Sequence, residues 1–288
     1  MRWHVRAALL ALLLATAHAA DGYAFAPGVA RMYDYTLDQT VTWESADDRL
    51  EYRTAIRWRF ALRGVAVAGA TATVNATYLR VTATHTGPAA DHAVDSARGE
   101  GPVDPVVGHL AAFDGITLGL SIDQPSGRVT AVSGGEAIIA AIRARHPAAM
   151  PGDPPPLDGA ARALYAPEAL AAWWSQILTP PSAEPQTVPL TAPLAGNLVR
   201  TWSGTGYTLG LPAGTSELPL TLLGEPTPVT GMLREVTGGG SATLAEGMPG
   251  AADGRLSFTL ALTALTQPVT QRHALTWRLA RVAPTPDP

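Results

Sequence analysis

Cysteine is absent from the 288-residue chain, so no disulfide and no thiolate site can be built, and the fold must rest on its apolar core. Lysine is absent as well. All 20 basic residues are arginine, in a chain crowded with Ala, Gly and Pro, which reads as compositional bias. Against them stand 24 acidic residues, and the net charge of −4 excludes general attraction to nucleic acid or an anionic membrane. Aromatics are scarce at 6%, too few for the girdles that flank an outer-membrane barrel. No segment after the first 20 residues approaches the roughly 18 to 20 apolar residues of a membrane helix. No repeat of fixed period is visible, which excludes propellers and solenoids.

What is present begins at the start of the chain. Arg2 and Arg6 precede an unbroken apolar run from Ala7 to Ala15, and Ala17-His18-Ala19 follows with a small-x-small pattern. This is the signature of a secretory signal over residues 1–19. It predicts an exported mature chain, periplasmic or extracellular, without a transmembrane segment. No cysteine follows the run to carry a lipid anchor.

From Tyr33 to Trp43 the odd positions are Tyr, Tyr, Leu, Gln, Val and Trp, alternating with Asp34, Thr36, Asp38, Thr40 and Thr42. That period of two marks a half-buried strand. Beyond the turn at Ser45–Asp48 the alternation resumes, with Leu50, Tyr52, Thr54, Ile56, Trp58, Phe60 and Leu62 on one face and arginines on the other. A hairpin pairing Glu44 with Arg49 satisfies both faces at once. It sets Tyr35 beside Trp58, Tyr33 beside Phe60 and Gln39 beside Thr54.

A third strand, residues 70–85, changes phase at Tyr78-Leu79, which predicts a β-bulge there. Residues 86–101 read as a loop. A second hairpin turns at Gln124–Gly127, and Ser133-Gly134-Gly135-Glu136 has capping-box spacing for a helix over 135–146. The proline cluster from Pro147 to Pro156 reads as a linker. Pro167 and Glu168 then open an amphipathic helix carrying Leu170, Trp173, Trp174, Ile177 and Leu178. Further strand patterns run over 197–201, 218–223 and 232–236, before a final hairpin of Leu256–Leu262 against Leu275–Leu279. Gly238 to Gly240 read as a turn or flexible loop. The implied organisation is an N-terminal β region over 20–146, a linker with its helix over 147–185, a C-terminal antiparallel β region over 186–283 and a disordered tail from 284. The fold class is mainly β, with curved antiparallel sheets in a half-barrel or sandwich-like arrangement and two short helices packed on the concave side.

Few residues point to chemistry. His85, Asp91, His92 and Asp95 gather metal-binding side-chain types after the third strand, yet no recognised ligand spacing is present and no metal or cofactor is expected. No G-x-S-x-G elbow occurs. Polar residues at core-phase positions are more informative: Gln39 and Thr54 in the first hairpin, Gln271 and His273 on the last strand. They either satisfy one another or line a cavity, since buried polar groups need partners. For a cavity, the candidate lining is Tyr35, Gln39, Trp58, His273 and Trp277.

The steps Val94-Asp95-Ser96, Phe113-Asp114-Gly115, Pro125-Ser126-Gly127, Val129 and Val132-Ser133-Gly134, with the helix from Glu136, resemble the domain of unknown function numbered 6263, a family of secreted β proteins of planctomycete-type bacteria. The resemblance covers roughly residues 30–200 and implies a fold and an exported location; it transfers no catalytic residue. Together these readings predict a non-enzymatic envelope protein binding a lipid-like ligand or another envelope protein. A structural or assembly role, or a hydrolase or metal enzyme, are the alternatives.

Overall fold

The computed structural model describes residues 22–98, 107–145, 158–178, 180–190, 197–222, 229–264 and 267–283. The expected signal, the proline cluster and the tail from 284 lie outside the described residues. The first hairpin consists of β1 (Ala30–Glu44) and β2 (Arg49–Ala68). Its register pairs Glu44 with Arg49, Tyr35 with Trp58 and Tyr33 with Phe60, as the alternation predicts. β3 (Thr71–Thr86) follows and slips register against β2 opposite Leu79, the predicted bulge. The extra residue lets Tyr78 and Val81 both point into the core while Leu79 turns outward.

Then come β4 (His92–Asp95), β5 (Thr117–Asp123), β6 (Val129–Ser133), β7 (Gln186–Pro189), β8 (Asn197–Ser203), β9 (Gly206–Gly210), β10 (Glu217–Leu222), β11 (Val229–Ala245), β12 (Met248–Ala264) and β13 (Gln267–Val282). All belong to one antiparallel sheet, ordered β6-β5-β3-β2-β1-β13-β12-β11-β9-β8-β7, with β4 beside β3 and β10 beside β11. The two β regions read from the sequence are therefore wings of one sheet, joined where β1 pairs with β13 from Met32–Val282 to Glu44–Thr270. A twisted open sheet rarely exceeds about ten strands without curling, and this sheet of 13 curls into a half-barrel.

Two expectations are corrected. β4 falls inside the predicted loop 86–101, held by a ladder from Thr82–Asp95 to His85–His92. Gly238 to Gly240 form no loop but the middle of β11, paired to β12 on one side and β9 on the other. The glycines fit where neighbouring groups lie against the strands: a Cβ at Gly238 would meet the Arg255 carbonyl at 2.8 Å and one at Gly239 the Tyr207 carbonyl at 2.6 Å. A Cβ at Gly240 would meet the Tyr207 hydroxyl at 2.7 Å, and one at Gly254 on β12 would collide with the Trp277 ring.

Helix α1 (Gly135–Arg145) buries Ile138, Ile139 and Ile142. The Ser133 hydroxyl donates to the Gly119 carbonyl, so the capping-box hydroxyl is turned back to the sheet. An unexpected helix, α2 (Asp158–Leu164), follows the proline cluster and leads into α3 (Pro167–Ile177), the predicted amphipathic helix. Among the described residues no helix is long and apolar enough to cross a membrane.

Candidate functional site

The open edges of the half-barrel are β6 and β7, and α3 lies between them. Val129 on β6 donates its backbone N–H to the Ser175 hydroxyl at 2.9 Å, and the Gln176 amide donates to the Pro189 carbonyl of β7 at 2.6 Å. Adjacent residues of one helix thus satisfy edge groups of both sides of the sheet, the positions most prone to pair with foreign strands. The apolar stripe of α3 decides which way it faces. Leu170, Trp174 and Ile177 are buried, and Trp174 sits edge-on to Phe60 at 5.1 Å.

Next to Trp174, Trp173 packs edge-on against Tyr35 at 5.9 Å and against Trp58 at 5.6 Å. Beside this aromatic group lies a cavity of about 140 Å³. Its floor is Trp58 and Tyr78 from the sheet, one wall is Leu110 and Phe113 from the 3-10 turn Gly108–Phe113, and its roof is Leu164, Tyr165, Ala169, Leu170 and Trp173. The lining is mostly carbon, with a minor polar share. Among the described residues the Trp58 indole N–H has no acceptor; the Tyr78 hydroxyl and Trp174 indole approach each other without the geometry of a hydrogen bond. An apolar cavity of roughly 150 Å³ takes up a benzene-sized molecule, so this one is matched to a single ring or a short branched group, and is too small for a whole lipid.

The five residues suggested by the sequence separate into three places. Trp58 lines the cavity, with Tyr35 against it. Tyr35 and Trp277 line a second, smaller void with Arg200. Gln39 and His273 are toward the other end of the concave face, where the Gln39 amide lies 3.3 Å from His273 Nδ1, and His273 Nε2 lies 3.0 Å from Gln271 Oε1. The His273 ring stacks on Phe258 at 4.5 Å, and burial lowers its pKa to about 4. Gln39 and Thr54 are opposite each other in register, but Thr54 bonds His85 Nδ1 at 2.9 Å instead. The core-phase polar groups therefore satisfy one another through the two histidines.

His85 is taken up by Thr54 and by stacking with Tyr52 at 5.9 Å, and Asp95 makes a two-point ion pair with Arg80 at 2.7 and 3.1 Å. The Arg80 guanidinium, with the Ala97 N–H, holds the Asp95 carboxyl below its usual range. Among the described residues no three His, Asp or Glu side chains are grouped to hold a metal ion.

Two parts of the site escaped the sequence reading. Leu164 and Tyr165 follow a proline run that conceals the helix before them. Arg200 shares the parity of Leu198 and Trp202 on β8, and that alternation is the signal that places it inside.

No protein-family model and no curated protein sequence matches the chain. Among solved structures, lipovitellin, described for its lipid–protein interactions, aligns over 92% of this chain at 8% identity and a TM-score of 0.43. The alignment takes in 26% of that protein, so this chain spans about a quarter of its length. DynF from the dynemicin biosynthesis pathway of Micromonospora chersina aligns over 91% of this chain and 89% of its own, at 9% identity and a TM-score of 0.23. The translocator domain of the autotransporter NalP from Neisseria meningitidis aligns over 97% and 98%, at 8% identity and a TM-score of 0.23. Likeness at this level carries no assignment.

Proposed function

We propose that the chain is an exported, non-enzymatic protein of the cell envelope that binds the apolar ring or short branched end of a small molecule between its sheet and the α2–α3 roof. The observation that carries this reading is the 140 Å³ cavity walled by Trp58, Tyr78, Phe113, Tyr165 and Trp173. Such a void forfeits dispersion contacts on every side, and a ligand that fills it restores them. The unpartnered Trp58 N–H gives an incoming acceptor one point of orientation. Export rests on the leader-like residues 1–19, and kinship with the 6263 family on the motifs quoted for it; both belong to the same proposal.

The test is a titration of Trp fluorescence with single-ring apolar probes, benzene and indole among them, on the wild type and on Ala169→Phe. Ala169 lines the roof, so a phenyl group there occupies the void. Saturable binding by the wild type, lost in a folded Ala169→Phe variant, is the expected outcome. A wild type that binds no probe, and that yields no co-purifying small molecule in native mass spectrometry when taken from its own envelope, sinks the ligand-binding reading.

A further inference from the structure

We propose that the outer edge of β2 at its tip, Val65–Ala68, is covered by the same edge of a second copy of this chain, the two strands pairing antiparallel about a two-fold axis. β2 runs on past Arg63, its last partner position on β1, and among the described residues no strand lies on that side of the overhang. Gly64 is taken up by the segment before β1, its N–H bonding the Val29 carbonyl and its carbonyl accepting from the Gly28 N–H. After a one-residue slip at Val65 the ladder with β3 resumes as Ala66–Thr73, Val67–Ala72 and Ala68–Thr71, closed by Gly69 and Ala70. In a hairpin closed by two residues, alternate positions bond the neighbouring strand. Ala68 and Ala66 therefore turn to β3, and the N–H and C=O of Val67 point the other way, into the open.

The surface around this edge is apolar and uncharged. Val65 and Val67 are 47% and 43% exposed, two of the four large hydrophobic side chains exposed among the described residues. No charged residue occurs from Gly64 to Leu79 or from Gly22 to Ala30, and the latter segment, whose Ala26 carbonyl lies against Gly64, adds exposed Ala24, Ala26 and Pro27 beside the tip. A free apolar edge is a template for another chain, and proteins that leave edges free block them with charge, proline or cover. The terminal strands of this sheet are blocked in that way: Ser175 bonds the edge of β6, Gln176 and Pro189 close that of β7, and β10 carries Glu217 and Pro219. The tip of β2 carries none of these devices. It has no charge with which to select a different partner. What it offers is one donor and one acceptor on one residue, a self-complementary pair: across a two-fold axis the Val67 N–H bonds the carbonyl of the partner's Val67 and the reverse, which closes an isologous interface.

None of these residues lines the apolar cavity, so the interface is independent of ligand binding there. A short edge of this kind belongs with the small interfaces, under about 1,200 Å², and the dimer should be weak and concentration-dependent. Analytical ultracentrifugation of the wild type from about 1 μM to about 1 mM is expected to pass from monomer to dimer. Val67→Lys, a charge placed at an exposed position, is expected to keep the circular dichroism of the wild type and to remain monomeric throughout. Leu79→Lys, at a position that is 42% exposed away from the tip, is expected to dimerise like the wild type. The Val67 amide should also exchange its hydrogen more slowly at the concentrated end of the range, a test that needs no variant. A wild type that stays monomeric, a dimer that survives in Val67→Lys, or a Val67 amide that exchanges equally fast at both ends overturns the proposal. A monomer that floats with phosphatidylcholine vesicles overturns it as well, because the occupant of the tip would then be lipid.

Discussion

His273 keeps its ring between two glutamines, and their arrangement assigns its protons. With the Gln39 amide donating to Nδ1 and Nε2–H donating to Gln271, the ring is the neutral Nε2 tautomer. Its pKa of about 4 in the folded chain lies below the ordinary 6.5, so the unfolded chain binds more protons between these values. Stability should therefore fall as pH drops from about 6.5 towards 4, by an amount on the order of 2–3 kcal/mol, and become insensitive to this group below that. Urea titrations across that range should show a shallower slope for His273→Gln than for the wild type. Strand phase makes a second prediction at this scale. Trp58→Ala should cost about 3–5 kcal/mol as the loss of a large buried aromatic, while Arg57→Ala, one residue along and exposed, should cost under about 1 kcal/mol. Equal costs in chemical denaturation would contradict the assigned faces. Alternation made such faces legible because a strand's parity leaves each side chain only two directions. It did not reveal which interior residues meet, since Gln39 and His273, 3.3 Å apart, are separated by most of the chain.

Elements here are held mainly at their edges. Replacing Ser175 with Ala leaves the Val129 N–H without its acceptor, and the expected loss of about 1–3 kcal/mol should appear as faster hydrogen exchange along β6. The segment before β1 acts as a strap in the same way. Tyr23 N–H bonds the Gln124 carbonyl at the β5–β6 turn, Ala24 N–H bonds the Gly247 carbonyl at the β11–β12 turn, and the Tyr23 and Phe25 rings are buried between them. Deleting residues 20–25 should lower the melting temperature by at least as much as losing one large buried aromatic. A chain that melts unchanged would show the strap to be ornamental. Sequence patterns exposed the bulge at Leu79, because a phase change has no other economical explanation. They showed only the stretch Met232–Val236 of β11, because glycine usually punctuates a strand, and the close approach of the Arg255, Tyr207 and Asp253 carbonyls to Gly238, Gly239 and Gly240 is set by neighbouring strands.

At the scale of the whole molecule, the pairing of β1 with β13 decides how the chain is assembled. Most ladders are local hairpins, and this one joins strands from opposite ends of the chain, so it bears the loop-closure cost of the entire fold. This long-range step joins the two wings of the curved sheet, while the cavity is lined by residues from Trp58 to Trp173 on β2, β3 and the helices; alternation made the curved sheet readable as a class, and it does not say which distant elements meet over the cavity. The same ladder also makes the backbone nearly a closed ring. Met32 faces Val282 across an antiparallel pair, so the entry to the first strand and the exit from the last stand about 5 Å apart. A few glycines should therefore suffice to splice residue 283 to residue 29, with new ends opened at the exposed Asp47–Asp48 turn. Such a circular permutant lacks the strap, so its benchmark is the strap-deleted chain, whose circular dichroism and melting temperature it should match. Strand order in space would be conserved while order along the chain is rotated, and the ladder that spans the longest stretch of chain would become a hairpin between neighbouring strands.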